Sequence, residues 1–489
     1  MSAIREIWDS RVAFIMAAIG SAVGLGNIWR FPATAYENGG GAFLIPYFVA
    51  LFTAGIPIMM IEFWLGKKFQ LAAPNAFEKI KKGWRFFGWL ATLAAAVIVF
   101  YYAVVMSWCW VFLFNSLKLP WAGQETSYFF NDLLQIAKSP GLFDGFVWPV
   151  VLGLLLTWIC IYFIISKGVS GVGKIVMITV PLPVILVVIL AIRGISLPGA
   201  ISGLNFYLMP NFKSLLDPKV WLAAYSQIFF SLSLGFGVLL AYASYLPKKA
   251  DITNNAFITS LSNCLFSFFA GFAVFSTLGY LSNINNIGIA SLKISGPTLA
   301  FITYPAALAK LPFASILSVI FFSTLLFLGI DSAFSIVESL VTTSMDNSKL
   351  NRKKLSLIIC GVSFVAGLIF TTKSGLYWLD VVDHFIMAYM IAFIGLIQCI
   401  LIGWFADTKK IAKEIDDQSE LKFGRVWIYL IKFVAPVILT VLILQNFIKE
   451  LSAPYGGYAP WLIVSGGWLV VLSIFVISYF LYTSLQSKK

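Results

Sequence analysis

Residues 20–32 read Gly20-Ser21-Ala22-Val23-Gly24-Leu25-Gly26-Asn27-Ile28-Trp29-Arg30-Phe31-Pro32, a polar, glycine-broken stretch set in apolar sequence. Each of its three glycines weakens a helix by roughly 1 kcal/mol relative to alanine. Within hydrocarbon, backbone groups released from a helix persist only where protein buries them or where they line a cavity. A membrane helix broken here therefore presents bare carbonyls and amides to something bound. A second break, Ser231-Leu232-Ser233-Leu234-Gly235-Phe236-Gly237, lies in another apolar segment. Interrupted segments at matching positions in two halves of a chain point to the binding site of a secondary transporter. Glycines that only let helices approach closely would account for Gly20 and Gly24 but leave Asn27 and Arg30 without a purpose.

The 489-residue chain is 60% hydrophobic and 11% charged, with mean hydropathy +0.91, which is the composition of an integral membrane protein. Runs long enough to cross about 30 Å of hydrocarbon fall at 12–35, 42–66, 88–116, 147–166, 173–192, 219–245, 255–280, 314–343, 355–371, 376–405, 426–448 and 460–484, twelve spans numbered here in that order. Most of the 34 Lys and Arg sit in alternate loops, at 67–85, 167–174, 248–249, 349–354 and 409–425, and at the two ends. The positive-inside rule then places both termini in the cytoplasm. The net charge of +13 is a topology signal and implies no nucleic-acid partner. Arg5, Glu6, Asp9 and Arg11 stand where a cleavable leader would begin, so none is expected. All five cysteines fall in apolar segments, which predicts neither an extracellular disulfide nor a metal cluster. Without an Asn-x-Ser/Thr acceptor in the outward loops, the expected home is the plasma membrane of a bacterium or archaeon.

Spans 1–5 and 6–10 each open on a broken helix. Because five is odd, the two sets enter from opposite faces, which predicts an all-α, five-plus-five inverted repeat with discontinuous helices 1 and 6 and two extra helices. The predicted units are 1–193, 194–408, and 409–489 with the cytoplasmic tail. Residues 296–312, too short and proline-punctuated to span, are expected to form an outward re-entrant loop that acts as a lid.

Arg5 and Trp8, the 20–32 segment, Glu37-Asn38-Gly39-Gly40-Gly41-Ala42-Phe43-Leu44-Ile45-Pro46-Tyr47, and Gly55-Ile56-Pro57 with Glu62 resemble the neurotransmitter:sodium symporter family. The likeness is to its prokaryotic amino-acid transporters, typified by the bacterial leucine transporter, and it covers the first ten spans. It implies sodium-coupled uptake by alternating access. Carried over residue by residue, it implies a first Na⁺ site at the Ala22 carbonyl, Asn27, Ser231, Asn263 and the substrate carboxylate. A second would use the Gly20, Val23 and Leu328 carbonyls with Asp331 and Ser332. Na⁺ is a hard cation that takes oxygen ligands, and an ionisable group in mid-span such as Asp331 is a functional site by default. The resemblance also implies a substrate pocket bounded by Ile98, Tyr102, Phe230, Ser231, Ser233, Phe236 and Ile336. There Tyr102 and the free amides around Ala22, Gly24 and Gly26 would meet a carboxylate at the positive end of a half-helix. Monoamine-carrying relatives hold an aspartate where this chain has Gly24, so the ligand should bring its own carboxylate. A medium or large neutral amino acid is the expected substrate, with a glycine-, GABA- or betaine-like zwitterion as the alternative.

The same resemblance implies an outer gate of Arg30 with Asp383 and an inner gate of Arg5 with Asp346, with Trp8 and Tyr245 beneath. It implies a chloride site at Tyr47, Gln227, Ser231, Asn263 and Ser267, because chloride-independent prokaryotic members hold an acidic residue where this chain has Ser267. Two sodium ions near the midplane with one fixed carboxylate leave positive charge poorly compensated, so chloride stimulation is expected. His384, the only histidine, reads as an exposed bystander rather than a proton relay. Rival classes find little support: a channel or solute sensor should show a filter motif, a charged ring or a signalling domain. An enzyme should show a metal cluster, a nucleophile elbow or a phosphate loop.

Overall fold

The computed structural model describes residues 6–292 and 296–486. Ten helices in it are long and apolar enough to cross a membrane: Gly41–Phe69, Arg85–Asn115, Trp148–Ile165, Gly168–Ile195, Ile252–Asn285, Ala314–Asn347, Arg352–Thr371, Gly375–Phe405, Gly424–Gly457 and Pro460–Ser484. These are spans 2–5 and 7–12. The other two are broken. Span 1 consists of Arg11–Ala22 and Leu25–Glu37, bent by 64°. Span 6 consists of Pro218–Ser231 and Val238–Ala243, separated by six non-helical residues. The protein is an all-α membrane protein.

The breaks follow from local chemistry. Ser10 caps the first half-helix by accepting the Ala13 amide at 3.1 Å, and Val23 and Gly24 are extended beyond its end. In span 6, Gly235 and Gly237 take φ of +84° and +70°, a left-handed conformation open to glycine at little cost. Ser233 takes φ +53° without that freedom, a strained geometry of the kind concentrated at functional sites. The freed backbone is satisfied by side chains from other spans. Glu62 on span 2, fully buried, accepts the Gly235 amide at 2.8 Å and the Gln398 amide at 3.2 Å.

Span 3 runs along span 8, and span 8 packs against the first half of the broken span 1; span 3 reaches the break through Tyr102, whose hydroxyl accepts the Leu25 amide at 3.2 Å. In span 7, 72% of the most apolar window is buried, against 28% in spans 11 and 12, so the first group builds the centre and the last two face lipid. Residues 296–309 fold into a bent helical turn, with Leu299, Ala300, Phe301, Tyr304, Ala307 and Leu308 buried. Phe301 packs against Trp29, Trp108 and Phe129 at 5.9, 5.5 and 5.4 Å. This segment covers the face opposite Trp8; the two faces are called here the Trp8 face and the Asp383 face.

Candidate functional site

The two breaks meet span 3 and span 8 around a cavity of about 250 Å³. Ala22, Gly24, Gly26, Ile98, Tyr102, Phe230, Ser231, Ser233, Phe236 and Ile336 all line it, with Asn27 and Ser332. The cavity depends on glycine. A Cβ at Gly24 would lie 2.6 Å from Ser332 Oγ and 3.1 Å from the Tyr102 hydroxyl, and one at Gly26 would lie 2.6 Å from the Phe230 ring. No side chain of any charge fits at position 24 without displacing these neighbours. The amides of the break are partly engaged: Gly24 N–H donates to Asn27 Oδ1 at 2.8 Å and Leu25 N–H to the Tyr102 hydroxyl at 3.2 Å. Ser233 Oγ donates to the Ser21 carbonyl at 3.2 Å, tying the two breaks together.

Asn27 sits in a buried ring of amides and hydroxyls. Its Nδ2 donates to Asn263 Oδ1 at 2.8 Å and Ser267 Oγ at 2.7 Å, and lies 3.4 Å from Ser231 Oγ. Asn263 Nδ2 in turn donates to Ser231 Oγ at 2.9 Å. Behind the cavity wall, Asp331 is 1% exposed and its Oδ1 has no hydrogen-bond partner. Its other oxygen lies 3.5 Å from where a Gly20 Cβ would stand. Ser332 Oγ is 3.4 Å from each of the Gly20, Ser21 and Val23 carbonyls, and Leu328 lies buried one turn before. The buried Tyr47 hydroxyl and both amide atoms of Gln227, one helical turn before Ser231, have no hydrogen-bond partner. Unpaired buried donors of this kind are rare and call for an occupant.

The predicted gates are in unequal states. Arg30 and Asp383 both line the cavity but make no ion pair. The Arg30 guanidinium lies 4.0 Å over the Phe230 ring, and Asp383 accepts the Tyr101 hydroxyl at 2.7 Å. The Asp383 face is therefore not shut by that pair. On the other face Trp8 is buried, its indole donating to the Tyr242 carbonyl at 2.9 Å and its amide to the Tyr245 carbonyl at 3.2 Å. Arg5 lies outside the described residues; Asp346 accepts the Ala72 amide at 2.6 Å.

Two features escape the sequence reading. Arg352 Nη1 pairs with buried Glu338 at 2.7 Å, and Arg352 Nη2 reaches the Tyr245 hydroxyl at 3.2 Å and Glu6 at 3.6 Å. Tyr245 thus belongs to this network, with Thr342 at 2.6 Å. Glu338 lies seven residues after Asp331 in the same apolar span, so the signal that singled out Asp331 applied to it equally. His384, expected as an exposed bystander, is not one. Its Nε2 lies 2.6 Å from Glu450 Oε1 and its ring stacks on Tyr455 at 3.6 Å. Glu450 is 66 residues away in sequence, so no local signal announced the pair.

Paired broken helices around a central cavity, sealed on one face and leading past unpaired gate residues on the other, define a secondary transporter. The family model described as the sodium:neurotransmitter symporter family matches residues 5–127 and 122–488. An uncharacterized sodium-dependent transporter of Methanocaldococcus jannaschii is 43% identical over 479 residues, covering 98% of this chain and 97% of that one. The sodium- and chloride-dependent GABA transporters 2 of Homo sapiens and Rattus norvegicus are 35% and 36% identical over 512 residues, covering 96% of this chain and 85% of theirs. The chain belongs to the sodium:neurotransmitter symporter family. It is a sodium-dependent transporter of a small molecule and not an enzyme.

Proposed function

We propose that the protein takes up a neutral amino acid with two sodium ions by alternating access. The observation that carries this reading is the convergence on one small cavity of the break amides, the Tyr102 hydroxyl and the Asn27 and Ser231 oxygens, backed by Asn263, with Gly24 excluding a fixed carboxylate. At about 250 Å³ the cavity falls below the roughly 300–1,000 Å³ of drug-sized sites and suits a small metabolite. Swinging Asn27 Oδ1 off the Gly24 amide would do two things at once. It offers an oxygen to a cation in the ring, and it frees an N–H for the substrate carboxylate. The second sodium site draws on the Gly20, Val23 and Leu328 carbonyls, Ser332, and Asp331 with its unpaired oxygen.

Chloride fits the unpaired Tyr47 hydroxyl and Gln227 amide beside Ser231, Asn263 and Ser267, all donors to an anion. The excess of Lys and Arg in alternate loops supports reading the Trp8 face as the cytoplasmic one, and the arrangement described is then outward-facing. The curated GABA-transporting relatives favour a second reading, a GABA-like zwitterion. Uptake into proteoliposomes of the twenty amino acids, GABA, glycine and betaine, each under a sodium or a choline gradient, tests both. Uptake that is equal in sodium and choline overturns the proposal. Replacing chloride by gluconate should weaken sodium-dependent binding, and Ser267→Glu should restore it.

A further inference from the structure

The gate aspartate stands on a short helical lever. Span 10 is helical over Gly375–Phe385, then winds into a π-helical stretch over Ile386–Ile391, an irregularity frequent at functional sites. Asp383, at the cavity, is the antepenultimate residue of the lever, and the next residue, His384, points the other way, to the end of span 11. Its contacts there are the Glu450 carboxylate at 2.6 Å and the face of Tyr455, stacked at 3.6 Å and 9°. One turn earlier, Asp380 accepts the hydroxyls of Tyr455 at 3.0 Å and Tyr458 at 2.8 Å. Tyr455 thus serves both contacts, and the lever is held to residues 450–458 at Asp380 and His384.

We infer that His384 is a positioning residue whose proton sets the outer gate. This role of His384 presupposes the outward-facing arrangement proposed above. An imidazolium strengthens the bond to Glu450 and adds positive charge one residue from Asp383, relieving its need for Arg30. The neutral ring keeps at most one uncharged donor toward Glu450 and leaves Asp383 to draw Arg30 off Phe230. The charged and titratable groups around it are Asp380, Asp383 and Tyr389 on its own span, Lys449, Glu450, Tyr455 and Tyr458 from span 11 and its loop, Tyr101 from span 3, and Arg30 across the cavity. Histidine is the side chain that changes charge in the physiological range, and among these groups it is the one suited to report external pH. Low external pH holds the gate open; high pH favours closure.

The test uses full-length protein in lipid nanodiscs without sodium or substrate, purified by a tag free of histidine. Ile98→Cys places a thiol beneath the gate, and its rate of modification by a polar thiosulfonate is followed from pH about 5 to about 8. The same thiol in an Ile98→Cys, His384→Gln protein removes the intrinsic pH dependence of thiol chemistry from the comparison. The ratio of the two rates should fall about fivefold as pH rises; a ratio that stays flat overturns the inference. If His384→Gln fails to fold, Glu450→Gln replaces it. Because the protein has a single histidine, its labelled imidazole gives one NMR signal, and a ring that keeps one protonation state from pH about 5 to about 8 also overturns the inference. Neither readout needs transport, so absence of sodium-dependent uptake would sink the functional reading and leave this result to stand or fall separately.

Discussion

Gly24 and Asn27 together show how single residues shape this site. A methyl at position 24 has nowhere to go, because Ser332 Oγ and the Tyr102 hydroxyl lie 2.6 and 3.1 Å from it. Both neighbours are polar atoms in the ligand cavity, so displacing them costs about 1–3 kcal/mol. Gly24→Ala should therefore weaken substrate binding roughly tenfold or more and leave the detergent-purified protein monodisperse. Binding unchanged by the substitution would mean that the break relaxes freely. Asn27 engages the Gly24 amide with its oxygen and the Asn263–Ser267 ring with its nitrogen. Asn27→Ala should weaken sodium and substrate together, since binding linkage is reciprocal. Isothermal titration of each ligand with and without the other checks this, and a variant whose substrate affinity keeps its full sodium dependence would exclude a shared site. Asp331→Asn removes the fixed charge behind Gly20 and should abolish sodium-driven accumulation in proteoliposomes while the protein stays folded. Accumulation at the parental level would make Asp331 a packing residue.

Among the elements, the breaks were readable from composition, because glycine runs inside apolar sequence have few other uses. The partners that satisfy them were partly readable: Glu62 stands out as a carboxylate in an apolar span, but its bond to Gly235, 173 residues away, needs the fold. The same holds on the Trp8 face, where Glu338 on span 8 and Arg352 at the start of span 9 pair across the intervening loop. Breaking a buried pair by removing one partner costs about 3–5 kcal/mol, because the other charge is left uncompensated, whereas replacing both with apolar groups of like volume is nearly neutral. Arg352→Met should accordingly lower thermal stability sharply, and Glu338→Leu combined with Arg352→Met should recover most of it. The double variant should also expose the Trp8 face, since Tyr245 and Glu6 lose their common partner. Faster modification of a cysteine placed at Tyr242 reads this out. A double variant no more stable than the single one would show that the pair contributes favourably by itself.

For the whole molecule, the ion inventory fixes the energetics of accumulation. Each elementary charge moved through 100 mV is worth about 2.3 kcal/mol. Two sodium ions with a zwitterion carry two charges, worth on the order of a thousandfold accumulation at that potential; if chloride travels with them, one charge remains and the ratio falls to about fiftyfold. Accumulation measured against imposed potassium-diffusion potentials separates the two by its slope, and no dependence on potential would exclude both. The sequence alone determined the membrane class, the ten unbroken spans and the two breaks, because each of these is encoded in neighbouring residues: hydropathy over a span, glycine spacing over a turn. Tertiary structure decided what depends on residues distant in the chain. It set Arg30 on Phe230 and Asp383 on Tyr101 instead of on each other, placed Arg352 against Glu338, turned His384 toward Glu450, and left the buried Tyr47 hydroxyl and Gln227 amide unpaired. Hydrogen bonds and ion pairs are formed over about 3 Å and so depend on how the helices pack, which a linear pattern does not specify.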